Sequence, residues 1–303
     1  GYAAGLAVTT GVQNTLIGGL SGDALTTSNN NIAIGYKALT ADTVGTKTTA
    51  IGFEALMSQN FTSNTDSFNT AIGYTAGREI TTGVQNTLIG GLAGDALTDA
   101  DFNVAIGTDA LASDTLGSRS IAIGRRALLT QNFTSATDTY NVAVGFEAGH
   151  NISTGTQNVL IGGLSGDAIT TGANNVAMGT SSLGTCTTGT YNVALGDSAL
   201  YATTTGTANT AVGGGALDAN TTASNNTAVG RDALGANTTG AGNTVVGKDA
   251  AIANTTAANN TIVGFEAFGT NTTGHSNVAI GKATMYGNTT GDLNTAAGYA
   301  ALS

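Results

Sequence analysis

Proline and tryptophan are absent from this sequence, aromatic residues make up 5 % of it, and charged residues only 9 %. A soluble globular domain carries roughly 25 % charged residues and buries bulky side chains in a shared centre. A chain of 303 residues is long enough for two domains, but with so few large side chains it cannot fill two ordinary globular cores. The one cysteine, Cys186, has no partner for an intrachain disulfide, so it reads as a small buried residue and leaves the redox compartment open. Nine Lys and Arg against nineteen Asp and Glu give a net charge of −10. That balance excludes general nucleic-acid binding, which needs clustered cations to neutralise phosphates. No apolar run approaches the roughly 18 residues of a membrane span, and the first residues lack the charged and apolar regions of a signal peptide. The chain is therefore expected not to be embedded in a membrane. Because it does not begin with Met, it is expected to be a fragment or a processed product of a longer protein.

Hydrophobic residues still make up 41 % of the chain, and they fall at fixed positions, which separates it from disordered glycine-rich tracts. The organising feature is a period of 17. Glycines recur at 18, 35, 52, 73, 90, 107, 124, 145, 162, 179, 196, 213, 230, 247, 264, 281 and 298, each 17 after the last except for two steps of 21 that end at Gly73 and Gly145. Four coils thus make a superrepeat of 72 residues, and the near-copies starting at Gly11, Gly83 and Gly155 (GVQNTLIGGLSGDALT, GVQNTLIGGLAGDALT, GTQNVLIGGLSGDAIT) lie 72 apart. A repeat this short cannot bury a face alone and must stack on its neighbours. The sequence divides into 1–161, which holds the superrepeats and both four-residue insertions, and 162–303, which continues with regular 17-residue coils; together they form one continuous fibre domain.

The averaged coil reads N-T-A-I/V-G-x-x-A-L-x-x-N-T-T-G-x-x. Its first four residues alternate, with Thr and the β-branched residue on one face and Asn and Ala on the other, as a short strand does. Thr-Thr-Gly marks a turn. Two glycines per coil and β-branched clusters argue against helix. The expected fold is all-β, a solenoid of narrow coils that enclose one row of Ile, Val or Leu. Asn stands four residues before the repeat Gly in fifteen of seventeen coils, Thr48 and Ser120 being the exceptions, and a stacked Asn ladder would bridge successive coils. So thin a core gains from association, and packing around a threefold axis is expected.

No constellation for chemistry stands out, and the catalytic, cofactor and metal sites are each expected to be none. GGLSGDAL from Gly18 lacks the Gly-Lys-Ser/Thr end of a phosphate loop, the tandem spacing of a calcium repeat and the flanking glycines of a nucleophile elbow, so it reads as a turn. Asp232, Asp249 and Glu266 share one repeat position and could stack. Pairing with Arg231 and Lys248 is the plainer reading, and cation binding the sharper one. His150 and His275 lack neighbours at ligand spacing and read as exposed loop residues. Tyr36, Phe53, Tyr74, Phe146, Phe265 and Tyr299 follow the repeat Gly and are expected to form a partly exposed stripe engaged mainly in packing. The Asn-Thr-Thr triplets from Asn220, Asn237, Asn254, Asn271 and Asn288 match a glycosylation pattern formally, but their period points to turns. The insertions, within Met57 to Phe68 and Leu129 to Tyr140, are either protruding recognition loops or a local widening of the coil.

As whole units, NTAVGRDALGANTTGAGNTVVG and NVAIGKATMYGNTTGDLNTAAG resemble the repeats of bacteriophage tail-fibre proteins, often followed by a self-cleaving C-terminal chaperone domain. They are also similar to the head domain of trimeric autotransporter adhesins, whose shorter coils carry Asn-x-x-Ala-Ile-Gly. The resemblance implies a homotrimeric, non-enzymatic structural fibre for host attachment: on a virion, the shaft or body of a tail fibre; in the alternative, a bacterial surface adhesin. A host or cell-surface glycan or protein would be its receptor. A fibre-borne polysaccharide-degrading enzyme and an ice-binding solenoid are the readings from other classes.

Overall fold

The computed structural model describes all 303 residues. The chain is all-β, a parallel β-solenoid without a helix, and so without one long and apolar enough to cross a membrane. It comprises two compact units, Gly1–Thr154 and Gly155–Ser303. In the first, three-residue strands at Thr15–Ile17, Ile32–Ile34, Thr49–Ile51, Thr70–Ile72, Thr87–Ile89, Val104–Ile106, Ile121–Ile123 and Val142–Val144 pair in parallel, each with its successor. In the second, the same ladder runs through Val159–Ile161, Val176–Met178, Val193–Leu195, Thr210–Val212, Thr227–Val229, Thr244–Val246, Thr261–Val263, Val278–Ile280 and Thr295–Ala297. Every residue faces its equivalent in the next coil. The 21-residue steps keep that register, with Thr49 opposite Thr70 and Ile121 opposite Val142.

The Asn ladder forms. The Oδ1 of Asn209 accepts the backbone N–H of Asn226 at 3.1 Å, while its Nδ2 donates to the carbonyl of Ala223 at 2.9 Å. One buried side chain thus holds two points of the following coil. The same pair of bonds links Asn31 to Thr48 and Gly45, and Asn86 to Asn103 and Ala100. Each such bond contributes about 1 kcal/mol, and a buried amide left without its partner costs about 1–3 kcal/mol.

The solenoid's core differs from the sequence expectation in one respect. Inside lies the central residue of each strand, Ala33, Ala105, Ala211 or Ala228, fully buried, together with Leu39, Leu111, Leu217 or Leu234 from the turn. The Ile or Val that ends the strand faces outward: Ile17 is 56 % exposed and Ile280 46 %. The ladder causes this inversion, because an inward Asn carries the residue two positions on with it. In some coils volume is exchanged between the strand centre and the turn position, although Ile262 and Phe268 are both large and fully buried in one coil. Where the strand centre is Leu88 or Leu160, the turn position held elsewhere by Leu becomes Gly94 or Gly166; a Cβ there would lie 2.8 Å from Leu88 or 2.7 Å from Leu160.

Tight closure places non-glycine residues in the left-handed region, for example Asn225, Asp232 and Leu234 in one coil, at φ 55–62°. Each costs roughly 1–2 kcal/mol, and the inter-coil hydrogen bonds offset it. The repeat glycines are stricter. They sit at φ 126–147°, and a Cβ on Gly90 would lie 2.6 Å from the carbonyl of Gly107 in the next coil. Gly91, its neighbour, has nothing within 4 Å of an added Cβ. Gly90→Ala is expected to destabilise the fold by at least ~2 kcal/mol and Gly91→Ala to leave stability unchanged or slightly raised. Denaturant unfolding of the two variants checks this; equal midpoints would contradict it.

Candidate functional site

The insertions break the uniform pattern, and each is built around a buried carboxylate. In the ordinary coil, the position six before the ladder Asn carries an inward side chain such as Leu25 or Leu97. Asp42 and Asp114 stand there instead, each in the coil before an insertion, and Gln59 and Gln131 follow in the inserted coils, all fully buried. Asp42 accepts the N–H of Gly45 at 3.0 Å and Nε2 of Gln59 at 2.8 Å; Gln59 also donates to the Thr48 hydroxyl at 3.1 Å and accepts Nδ2 of Asn69 at 2.9 Å. Thr48 meets Ser67 at 2.6 Å. Asp114, Gln131, Ser120, Thr139 and Asn141 repeat the arrangement. The two gaps in the Asn ladder, Thr48 and Ser120, are therefore where a hydroxyl joins this network. A buried carboxylate is tolerated only when its oxygens are satisfied by donors, and here neutral amides supply them.

These networks anchor a widened coil. Phe61 and Phe133 turn inward and are nearly buried, and Thr65–Asp66 and Thr137–Asp138 pair in parallel with Gly45–Thr46 and Gly117–Ser118 of the preceding coil. The tips, 62–64 and 134–136, stand exposed, as do Asp66, Phe68, Asp138 and Tyr140 on the flank that follows each. The buried Phe and the Asp–Gln pair escaped the sequence reading. Their signal was present: Asp and Gln 17 residues apart at a core position, twice, 72 residues apart.

Beside the inserted coils, the residue just before each ladder position forms an exposed column that includes Lys47, Phe68, Gln85, Phe102, Arg119 and Tyr140. Lys47 pairs with Asp66 at 2.5 Å and lies 5.0 Å from the Phe68 ring centre. Arg119 pairs with Asp138 and sits between two rings, 5.0 Å from that of Phe102 and 6.0 Å from that of Tyr140. Hydrogen bonds from Lys47 and Thr46 lower the pKa of Asp66 below the ordinary carboxylate value. On the other side of the strands, Tyr36, Phe53 and Tyr74 stack on one another, with centroids 5.6 and 5.3 Å apart, so packing engages their faces.

The other positions resolve as follows. Ser21 of GGLSGDAL is buried and donates to the Ala33 carbonyl at 2.6 Å. Arg231 lies 3.5 Å from Asp232 and 4.0 Å from Asp249, and Lys248 pairs with Asp249; Glu266 is in the same column. His275 is exposed, and its Nδ1 accepts the Ala258 N–H at 2.9 Å; His150 is half-buried beside Asn151. Asn220, Asn237, Asn254 and Asn271 are buried in a second Asn ladder, as in the 3.1 Å bond from Asn237 to Asn220. Their side-chain nitrogens are therefore out of reach of a glycan in the folded chain. A scan of protein-family models and searches of curated proteins and of solved structures each found no match.

Burial pushes the Cys186 thiol up to about 11, so the reactive thiolate is scarce through the neutral range. Iodoacetamide is expected to leave Cys186 unmodified at pH 8 in the folded chain and to alkylate it after denaturation, as read by mass spectrometry. Rapid labelling without denaturant would contradict its burial.

Proposed function

We propose that the chain is a structural fibre and attachment protein, the shaft or body of a phage tail fibre that works as a homotrimer and presents receptor-binding elements to a host surface. The observation that carries this reading is the outward aliphatic row. In each unit the residue that ends the strand, an Ile, Val, Leu or Met in every coil but the last, faces outward and is partly exposed, Ile17 at 56 %, Ile280 at 46 % and Met178 at 41 %. Contiguous apolar surface of this kind marks an interaction face.

The row repeats once per coil, with strands about 4.8 Å apart. A partner complementary along the whole row must share that spacing, and a parallel copy of the same chain does. Three copies about an axis parallel to the stacking direction would bury the row on each, adding the core that a narrow coil lacks. A stiff, hydrogen-bonded stack with recognition elements on its turns suits a role that holds a binding surface away from a particle, and we assign it no catalytic step.

Absolute mass by light scattering tests the assembly. Three times the 29.6 kDa chain is expected, and Ile72→Asp with Ile106→Asp is expected to shift the mass toward one chain while the β signal in circular dichroism persists. A wild-type monomer would overturn the trimeric fibre. Adhesion of labelled chain to bacterial cells tests attachment, and a chain that binds no host cells would overturn that part.

A further inference from the structure

The geometry points to the column beside the inserted coils as a binding surface for an extended, neutral polysaccharide; this rests on the attachment reading and names the ligand class for it. The column alternates. Phe68, Phe102 and Tyr140 occupy every second coil and are 52 %, 42 % and 51 % exposed, while Gln85 and Arg119 fill the coils between them and Lys47 precedes the first ring. Lys47 covers one face of Phe68, and Arg119 one face each of Phe102 and Tyr140, so the rings offer their remaining faces and edges as apolar surface to sugar C–H groups, and planar amide, guanidinium and carboxylate groups offer paired hydrogen bonds to hydroxyls.

Length and spacing select among polymers. Six coils at about 4.8 Å per step span ~24 Å, longer than a single sugar or a small cofactor. An extended polypeptide advances about 3.3 Å per residue, with side chains alternating every two residues, and falls out of step with rings two coils apart. A β-linked polysaccharide advances by roughly one coil per sugar, so that alternate sugars meet alternate rings. Charge narrows the choice further. Lys47 and Arg119 are already paired with Asp66 and Asp138, which leaves the column without free cations for a polyanion, and the chain's net charge of −10 opposes nucleic acids and acidic glycans alike. The inserted coils supply Asp66 with Phe68 and Asp138 with Tyr140, so the two insertions build this surface twice, 72 residues apart.

Affinity electrophoresis of the full chain through gels containing hydroxyethylcellulose, glycol chitin or mixed-linkage β-glucan tests the inference, with dextran and alginate as controls. Retardation by at least one of the three β-linked polymers, and by neither control, is expected. Phe68→Ala with Phe102→Ala is expected to weaken it at least tenfold, and Tyr36→Ala, in the stacked ladder, to leave it unchanged. All these side chains are exposed, and circular dichroism with light scattering verifies that fold and assembly persist. No retardation by the β-linked polymers, retardation by alginate alone, or a changed mass in the double variant, which would assign the column to self-assembly, would each overturn the inference. Host-cell adhesion undiminished in the double variant would also overturn it while leaving the attachment reading intact. Retardation without cell adhesion would support the column and overturn attachment.

Discussion

The rest of the structure depends on one interaction, the two-point hold that a buried Asn side chain takes on the coil after it. Its oxygen accepts one backbone N–H and its nitrogen donates to a carbonyl three residues earlier in that coil, as Asn209 does to Asn226 and Ala223. These bonds satisfy backbone groups inside a turn, where no strand ladder reaches them. They also fix register, because a slip by one residue would move Asn out and a bulky side chain in. Left-handed residues that would be costly in isolation persist because every coil is held in the same way by its neighbours.

With Asn committed to the interior, the remaining side chains have little freedom. Two positions on, the strand centre shares the interior with the turn residue six further along, so Leu88 comes with Gly94 and Ala105 with Leu111, while one coil holds both Ile262 and Phe268. The strand's β-branched residues are forced outward and leave each unit with an apolar face. Where the chain is longer by four residues, the ladder is interrupted: the Ser67 and Thr139 hydroxyls accept the N–H groups of Asn69 and Asn141, and the buried Asp42–Gln59 and Asp114–Gln131 pairs brace the widened coil. Departures from the repeat are thus coupled: the same two inserted coils interrupt the ladder, bury a phenylalanine and bring acidic, basic and aromatic side chains together at the surface.

The 17-residue period, the strand and turn assignments and the Asn ladder were legible because each rests on residues that recur at one position. Inward or outward placement of the strand's Ile and Val was not. Alternation divides a strand into two faces without saying which is inside, and ordinary hydrophobic reasoning points to Ile; only the buried bonds of Asn decide otherwise. The column was harder to see, since Phe68, Gln85, Phe102, Arg119 and Tyr140 differ in type, and only their common register relative to the ladder unites them. At the insertions the sequence left two readings open, and the inward Phe61 and Phe133 favour the widened coil.

Amide hydrogen exchange in an Asn209→Ala variant tests the central role of the ladder most directly. The N–H of Asn226 donates to the oxygen that this substitution removes, while the N–H of Thr227 donates to the Asn243 carbonyl and is untouched. A ladder that holds the coils together predicts strongly accelerated exchange at Asn226 with protection retained at Thr227 and at Asn260, two coils further on. Unchanged protection at Asn226 would contradict it.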